Sequence, residues 1–240
     1  MHRYSILADL HTHSISSGHG SRDPISRIAA KAAHTDLRLL GISDHGPATA
    51  GSVLPSYFYS TVIMPRQRYG ISMLYGAELN ILNMEGDVDL PDQLLRTLDY
   101  SIISIHPPIF TPWELPDVTQ AYLAAFRHPG VRFLGHIDDA RFPVDFEYLL
   151  PRAQAAGIYP EINNGSLSPQ SYRLGGQENC RRILQICRKL QLPVLLSSDS
   201  HGQSQVGNME YIFPLLEELD FPPSLILNAD PSRILQLLQK

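Results

Sequence analysis

The chain has 240 residues, of which 43% are hydrophobic and 18% charged, and its formal net charge is -5 at pH 7. This length and composition suit a single globular domain with a full-sized core. The acidic balance argues against long nucleic acid or an anionic membrane surface as a partner, because either would favour a basic patch.

No apolar run approaches the ~18 residues that a membrane span needs, and the first residues lack the charged and apolar regions of a signal peptide. The two cysteines, Cys180 and Cys187, have a spacing that on a helix corresponds to a rise of ~10 Å, too far for a disulfide. We therefore expect a cytoplasmic protein with reduced thiols and no membrane segment. The sequence predicts no particular oligomeric state.

Short apolar runs alternate with helical stretches along the whole chain. The runs predicted as strands are Tyr4–Leu10, Leu39–Ser43, Ser72–Asn80, Tyr100–His106, Arg132–His136, Ile158–Asn163 and Val194–Ser198. The stretches predicted as helices are Pro24–Thr35, Asp117–His128, Asp145–Ala156, Glu178–Leu190, Asn208–Leu219 and Pro231–Gln239. Asp23 is the predicted N-cap of the first helix. Nearly continuous hydrophobic runs suit buried parallel strands, so the pattern predicts one α/β domain over residues 1–240, with its sheet closed into a barrel.

The predicted joins differ in length at the two ends of the strands. Joins from helix to strand are short, as at Gly130 and Gly157, whereas joins from strand to helix are long, as over residues 46–56, 107–116 and 164–177. Because α/β barrels carry their sites on the strand-to-helix loops, this end is the predicted functional face.

The strongest chemical signal is the segment Asp9-Leu10-His11-Thr12-His13. Alternate residues of a strand point to one side, so Asp9, His11 and His13 share a face, and two imidazoles at this spacing can bind one metal ion. Further histidines and acidic residues stand at or near the ends of the predicted strands: His19, His45, Glu78, His106, His136, Asp199 and His201. Without metal, such a buried group would lack partners, which divalent cations provide.

The number of these ligand candidates predicts more than one metal ion. Seven histidines and two carboxylates exceed the four positions of one tetrahedral zinc. The nitrogen-rich set favours zinc, although manganese and iron also accept imidazole and carboxylate. Glu78 is the natural bridging carboxylate, and Asp9 is expected to orient a ligand histidine or to transfer protons.

Several motifs occur in the order found in one known family. Asp-Leu-His-Thr-His, Ser-Asp-His-Gly, Gly-Ala-Glu, the isolated His106 and His136, and Ser-Asp-Ser-His together resemble the PHP (polymerase and histidinol phosphatase) domain family, over essentially the whole chain. Glu161-Ile162-Asn163-Asn164, Glu178-Asn179-Cys180-Arg181 and the segments Phe221-Pro222-Pro223 and Ile226-Leu227-Asn228 resemble its YcdX-like phosphatase branch. The resemblance implies a distorted (β/α)7 barrel with a trinuclear zinc centre at its C-terminal face.

The resemblance also implies three sets of ligands. One ion would be bound by His11, His13, Glu78 and Asp199; a second, bridged by Glu78, by His106 and His136; and the third by His19, His45 and His201. The chain departs from the family pattern after His136, where Ile137-Asp138-Asp139 replaces a common Pro-Gly. This departure concerns the shape of the following loop more than the ligand itself.

Hydrolysis of phosphoesters suits such a site, since zinc can activate water as hydroxide near neutral pH, and adjacent ions can orient the ester. We predict a phosphatase for small phosphomonoesters. Its predicted catalytic residues are Asp9, Glu78 and Asp199, and its predicted substrate-binding residues are Arg66 and Asn163. Further candidates are Arg22 and Arg173 for phosphate, and Trp113 for the rim of the pocket.

Other activities stay open at this point. A histidinol phosphatase, or a phosphodiesterase or nuclease acting on short strands, would use the same site. An amidohydrolase also begins with His-x-His, but it uses two metals at most and would leave His19, His45 and His201 unexplained. A non-catalytic metal-binding module is disfavoured, because no ligand of the pattern is missing.

Overall fold

Parallel strands form the centre of the fold in the computed structural model, which describes residues 3–110 and 118–239. The strands are β1 (Ala8–Asp9), β2 (Leu39–Ile42), β3 (Gln67–Arg68), β4 (Ile71–Tyr75), β5 (Ala77–Asn80), β6 (Ser101–Ser104), β7 (Val131–Leu134), β8 (Tyr159–Asn163) and β9 (Leu195–Ser197). One sheet has the order β1-β2-β4-β3 and the other β5-β6-β7-β8-β9. Neighbouring strands are parallel except β3 and β4.

The predicted strand Ser72–Asn80 is two strands, because the chain passes from one sheet to the other at Gly76. A Cβ at Gly76 would lie 2.6 Å from the carbonyl oxygen of Tyr100, so glycine permits this close approach. An isolated parallel bridge between His45 and Glu78 joins the two sheets here, and another between Thr12 and Ser200 joins their far edges. The two sheets confirm a mixed α/β fold with parallel strands. No closed sheet occurs among the described residues, so the barrel stays a prediction.

Helices alternate with strands along most of the described chain, although β3, β4 and β5 follow one another without a helix. The helices are α1 (Ile25–Ala32), α2 (Pro55–Ser60), α3 (Asp92–Leu95), α4 (Thr119–Ala125), α5 (Phe146–Ala156), α6 (Asn164–Leu167), α7 (Gly176–Leu190), α8 (Ile212–Glu218) and α9 (Pro231–Leu238). The short helices α2, α3 and α6 were not predicted and lie between strands. Trp113 and the predicted helix start at Asp117 lie outside the described residues.

The predicted cap of the first helix is wrong. Pro24 is the N-cap residue of α1 and makes no side-chain cap. Asp23 instead accepts hydrogen bonds from the backbone N–H of Gln203 at 2.9 Å and from Arg27 at 3.1 Å. This carboxylate therefore ties the start of α1 to the loop after β9.

Side chains of the strands alternate between two apolar clusters. Ile103, Leu134 and Leu196 belong to the larger cluster, under the helices. Their neighbours Ile102, Phe133 and Leu195 belong to a second cluster, on the inner side of the strands. Successive side chains of a strand thus point to opposite faces. The same alternation at the strand ends determines which polar side chains face inward.

Cys180 and Cys187 on α7 are buried free thiols, as predicted. None of the helices in the described ranges combines the length and apolar character that a membrane span requires.

Candidate metal centre

The C-terminal ends of the strands bring the predicted ligands together. His11 follows β1, His45 follows β2, Glu78 lies in β5, and His106 and His136 follow β6 and β7. Glu78 and His11 are fully buried. Because parallel strands end at the same edge, residues far apart in sequence meet at one place.

Glu78 lies at the centre of the cluster. Its Oε2 is 2.8 Å from His45 Nδ1, 3.2 Å from His11 Nε2 and 3.4 Å from His13 Nε2. Its Oε1 is 3.0 Å from His136 Nε2 and 3.2 Å from His106 Nε2. The two oxygens thus face different groups of histidines, as a bridging carboxylate requires.

Asp199 forms a second acidic point on the same cluster. Its Oδ1 lies 3.1 Å from His13 Nε2 and 3.6 Å from both His11 Nε2 and His201 Nδ1. The backbone of Asp199 has φ 51°, and His136 and His19 also have positive φ, at 53° and 49°. Positive φ is uncommon for residues other than glycine and clusters at functional sites. The loops at this face therefore hold these three residues in an unfavourable backbone conformation that orients their side chains.

Many ligand atoms in the cluster are buried without a hydrogen-bond partner. Among the described residues they are His11 Nε2, His13 Nε2, both ring nitrogens of His45, Glu78 Oε2, His106 Nε2, Asp199 Oδ1 and His201 Nε2. Buried polar atoms are nearly always paired, because an unpaired one costs about 1–3 kcal/mol. So many unpaired atoms directed at each other fit divalent metal ions, which would satisfy all of them at once.

The ligand atoms form four overlapping groups, each within 4.8 Å. These are His11, His13 and Asp199; His11, Glu78 and His136; His45, Glu78 and His106; and His13, His45 and His201. The groups share His11, His13, His45 and Glu78, as expected where neighbouring ions share one cage. His19 is exposed and belongs to none of them; its ring centroid lies 5.5 Å from that of His45 and 5.6 Å from that of His201.

Burial by itself would raise the pKa of both carboxylates, but their surroundings reverse this effect. The neighbouring imidazoles, that of His11 first, hold the pKa of Glu78 well below its usual value. The charges of His11 and Arg173 do the same for the pKa of Asp199. Both groups are therefore ionised at neutral pH and can act as metal ligands.

Glu161 is a buried carboxylate beneath the cluster that was not predicted as a site residue. Glu161, fully buried in β8, places Oε1 2.5 Å from His11 Nδ1, and the same oxygen accepts the hydroxyl of Ser197 at 2.5 Å. A carboxylate on Nδ1 fixes the proton there and leaves Nε2 free as a metal ligand. In the sequence, Glu161 is named only within a segment that resembles the YcdX-like branch. Its place as an acidic residue in a predicted buried strand could have identified it.

His13 and His106 are oriented through uncharged side chains. The Ser17 hydroxyl lies 2.9 Å from His13 Nδ1 and donates to Asp44 Oδ1 at 2.7 Å. Asn80 Oδ1 lies 2.8 Å from His106 Nδ1. Each of these ring nitrogens is thus occupied, and Nε2 points into the cluster.

Arg173, a further candidate for phosphate binding in the sequence, is the basic side chain that lies beside the cluster. It is almost fully buried and its Nη2 donates to Asp199 Oδ2 at 3.1 Å and to His136 Nε2 at 2.9 Å. The same residue lines an open cleft of about 400 Å³ over the cluster, together with His19, Asp199 and His201. A fixed guanidinium beside the cluster suits the binding of a phosphate.

Arg66 lies away from the cluster. Its guanidinium pairs with Asp99, just before β6, which is the end of the sheet opposite the histidines. Asn163 is buried beneath Asp199, with Nδ2 3.1 Å from Asp199 Oδ2, and its Oδ1 accepts the N–H of Gly165.

Asp9 does not contact a ligand imidazole. Its carboxylate accepts the Ser198 hydroxyl at 2.5 Å and the backbone N–H of Gly207 at 2.9 Å. Asp9 therefore holds the loop that carries Asp199 and His201. Arg22 lines a separate pocket, which it shares with His201.

The fold and the site together define an α/β protein with a candidate polynuclear metal centre at the carboxyl ends of its strands. Residues 9–160 match the PHP domain family. The chain belongs to this family, as the sequence motifs predicted.

The relatives of this chain are phosphatases by name. A probable phosphatase of Clostridium acetobutylicum is 37% identical over 233 residues, which are 97% of this chain and 94% of the relative. A probable phosphatase of Photobacterium profundum is 33% identical over 234 residues, 98% of this chain and 94% of its own. The predicted class of enzyme, a hydrolase of phosphoric esters, is the class for which these relatives are named.

One solved structure with the same fold is histidinol phosphate phosphatase from Lactococcus lactis, complexed with zinc, L-histidinol and phosphate. The TM-score is 0.63 at 16% identity, over 90% of this chain and 94% of that one. At this identity the likeness concerns the fold.

Proposed function

We propose that this chain is a phosphatase that hydrolyses small phosphomonoesters at a trinuclear metal centre, with zinc as the preferred metal. The observation that carries the proposal is the group of buried, unpaired ligand atoms around Glu78 and Asp199, with the Arg173 guanidinium at its edge. The names of the relatives and the zinc and phosphate bound by the solved neighbour support it.

The overlapping groups of ligand atoms favour three ions. Glu78 would be shared between ions, and the remaining ligands would come from His11, His13, His45, His106, His136, Asp199 and His201. His19 would complete the site from the rim, next to His45 and His201. When bound, divalent ions supply an activated water nucleophile near neutral pH and positive charge for the phosphate oxygens.

The side chains of the protein have separate tasks in this proposal. Arg173 binds a phosphate oxygen with the N–H groups that Asp199 does not use, including the one that faces His136 Nε2, whose lone pair would then be taken by a metal ion. Glu161 keeps His11 in the tautomer that presents Nε2. Asp9 and Asn163 position Asp199, which makes them positioning residues and leaves the proton donor to the leaving group unassigned.

We also infer that the two sheets are the halves of a distorted (β/α)7 barrel within one domain over residues 1–240. The bridge between His45 and Glu78 and the bridge between Thr12 and Ser200 lie at the two places where the halves meet. The second contact is reinforced by the hydrogen bond from the His13 N–H to the Ser200 carbonyl at 2.8 Å.

The test is phosphate release from p-nitrophenyl phosphate by the purified full chain, with metal analysis of the same sample. We expect two to three divalent ions per chain, activity that a chelator abolishes, and recovery with zinc or manganese. Cleavage of amides or lactones without any phosphoester would favour the amidohydrolase alternative. A full metal complement without any turnover would favour the non-catalytic module.

A further inference from the structure

The wall of the cleft beyond Arg173 consists of polar side chains with a common arrangement. Asn164, Gln205 and Asn208 all line it. The side-chain oxygen of Asn164 accepts the N–H of Tyr211 at 2.9 Å, and that of Asn208 accepts the N–H of Glu210 at 3.0 Å. Gln205 Oε1 lies 3.4 Å from the N–H of His201.

These bonds determine which end of each amide the backbone uses. A backbone N–H can bind only the carbonyl oxygen of the amide, so the NH2 group of each side chain is directed away from that contact. In the described part of the chain, none of the three NH2 groups has a hydrogen-bond partner. Three neutral side chains whose NH2 groups the protein does not use therefore lie in the wall of the cleft.

The charges in the cleft are distributed unevenly. Arg173 is the one lysine or arginine among the described residues that line it, and this side chain already contacts Asp199 at the metal cluster. Glu210 also lines the cleft, is exposed, and has no ion pair in the described ranges. Away from the proposed metal centre, Arg173 is thus the one fixed positive charge in the described lining, and the single unpaired charge on the wall is negative.

We infer that the organic part of the substrate is a small, uncharged, hydroxyl-bearing group, so that the enzyme acts on polyol or sugar monophosphates. Hydroxyl oxygens accept hydrogen bonds from the three amides, and hydroxyl protons are donated to Glu210. A second phosphate or a carboxylate on the substrate would face Glu210 without a cation to offset it. The cleft volume of about 400 Å³ lies at the lower end of the ~300–1,000 Å³ range of small-molecule sites.

The inference rests on the proposed phosphatase function, and a matched pair of substrates tests it separately. Glycerol 3-phosphate and 3-phosphoglycerate share one skeleton and differ in a hydroxymethyl group against a carboxylate. With the metal-loaded full chain, we expect kcat/KM for glycerol 3-phosphate to exceed that for 3-phosphoglycerate by about tenfold. p-Nitrophenyl phosphate, which has no hydroxyl on its organic part, serves as the reference.

Two variants assign the preference to residues. Glu210→Gln should lower the ratio between the two substrates by about threefold or more, because the repulsion is removed. Glu85→Gln makes the same change in net charge on an exposed loop away from the cleft and should leave the ratio unchanged. Gln205→Met keeps the side-chain length and should lower kcat/KM for glycerol 3-phosphate about two- to tenfold relative to the aryl phosphate.

The outcomes distinguish a failure of the proposed phosphatase function from a failure of the inferred substrate class. If no phosphoester is cleaved, the proposed function is wrong. If the aryl phosphate is cleaved but glycerol 3-phosphate and 3-phosphoglycerate are equivalent, or phosphoethanolamine is preferred to both, the substrate class inferred here is wrong. A preference for glycerol 3-phosphate that Glu210→Gln reduces and Glu85→Gln does not would support it.

Discussion

Replacing Glu161 by glutamine tests the layer of side chains beneath the metal cluster. The carboxylate has donors on both sides: His11 Nδ1 and the Ser197 hydroxyl at Oε1, and Asn163 Nδ2 at 3.3 Å from Oε2. Although burial opposes its ionisation, the charge and hydrogen bond of His11 keep the pKa of Glu161 below its usual value. Glutamine has the same size but must direct its NH2 group at one of these donors.

The expected effect is on metal affinity rather than on folding. With the amide nitrogen toward His11, the imidazole loses the acceptor that fixes its proton on Nδ1. With the amide nitrogen toward Asn163, two NH2 groups face each other. Loss of such an outer carboxylate costs about 10–100-fold in metal affinity, or about 1.4–2.7 kcal/mol. His11 is fully buried, so solvent offers it no replacement acceptor.

The assay is metal retention against a graded chelator buffer, measured together with thermal unfolding of the chelated protein. Glu147→Gln, on the exposed side of α5, is the control for the change in charge. We expect Glu161→Gln to release metal at chelator concentrations at least about tenfold lower than the wild type does. Retention equal to that of the wild type would refute the role given to Glu161.

Three further predictions concern single side chains. Glu78→Gln should lose at least one ion per chain by metal analysis and should lower turnover by more than the ~100-fold that outer residues cost; full metal content with wild-type turnover would refute the bridging role. Arg173→Met should lower kcat/KM for phosphomonoesters about 10–150-fold, the value of a charge-assisted hydrogen bond, whereas Arg66→Met should have little effect, and equal effects of both would contradict the assignment. Cys180 and Cys187 should resist thiol reagents at pH 8 until the chain unfolds, because burial raises the pKa of Cys187 to about 12 and that of Cys180 well above its usual value; rapid labelling of the folded protein would contradict their burial.

The sequence predicted the buried strands and the functional end of the sheet better than the exact ends of the strands and helices. Buried strands and the strand-to-helix loops were recognisable from apolar runs and loop lengths, and these placed His11, His45 and His136 at one face. The division at Gly76 was not predicted, because a close contact with Tyr100 depends on a residue distant in sequence. The start of α1 was misassigned because Asp23 has a competing partner in Gln203.

Metal ligands and substrate contacts differ in how far a sequence can predict them. Metal ligands can be recognised by residue type and by their position at the ends of predicted strands. Glu78 and the histidines could therefore be chosen without knowing any distance. A phosphate-binding arginine has no such position. Arg173 lies in a loop of the predicted functional face and Arg66 does not, but only the packing of the loop after β8 places the Arg173 guanidinium beside Asp199.

Glu161 lies between these two cases, and the alternation of strand side chains explains why. Ile162 belongs to the apolar cluster under the helices, so its neighbours Glu161 and Asn163 must face the inner side of β8. On that side the apolar layer of Phe133 and Leu195 ends, and buried carboxylates begin. An acidic residue at such a position is costly unless a cation or a donor compensates it. A buried acid one position before a core residue, near the end of a parallel strand, therefore predicts a partner among the ligands of the neighbouring strands.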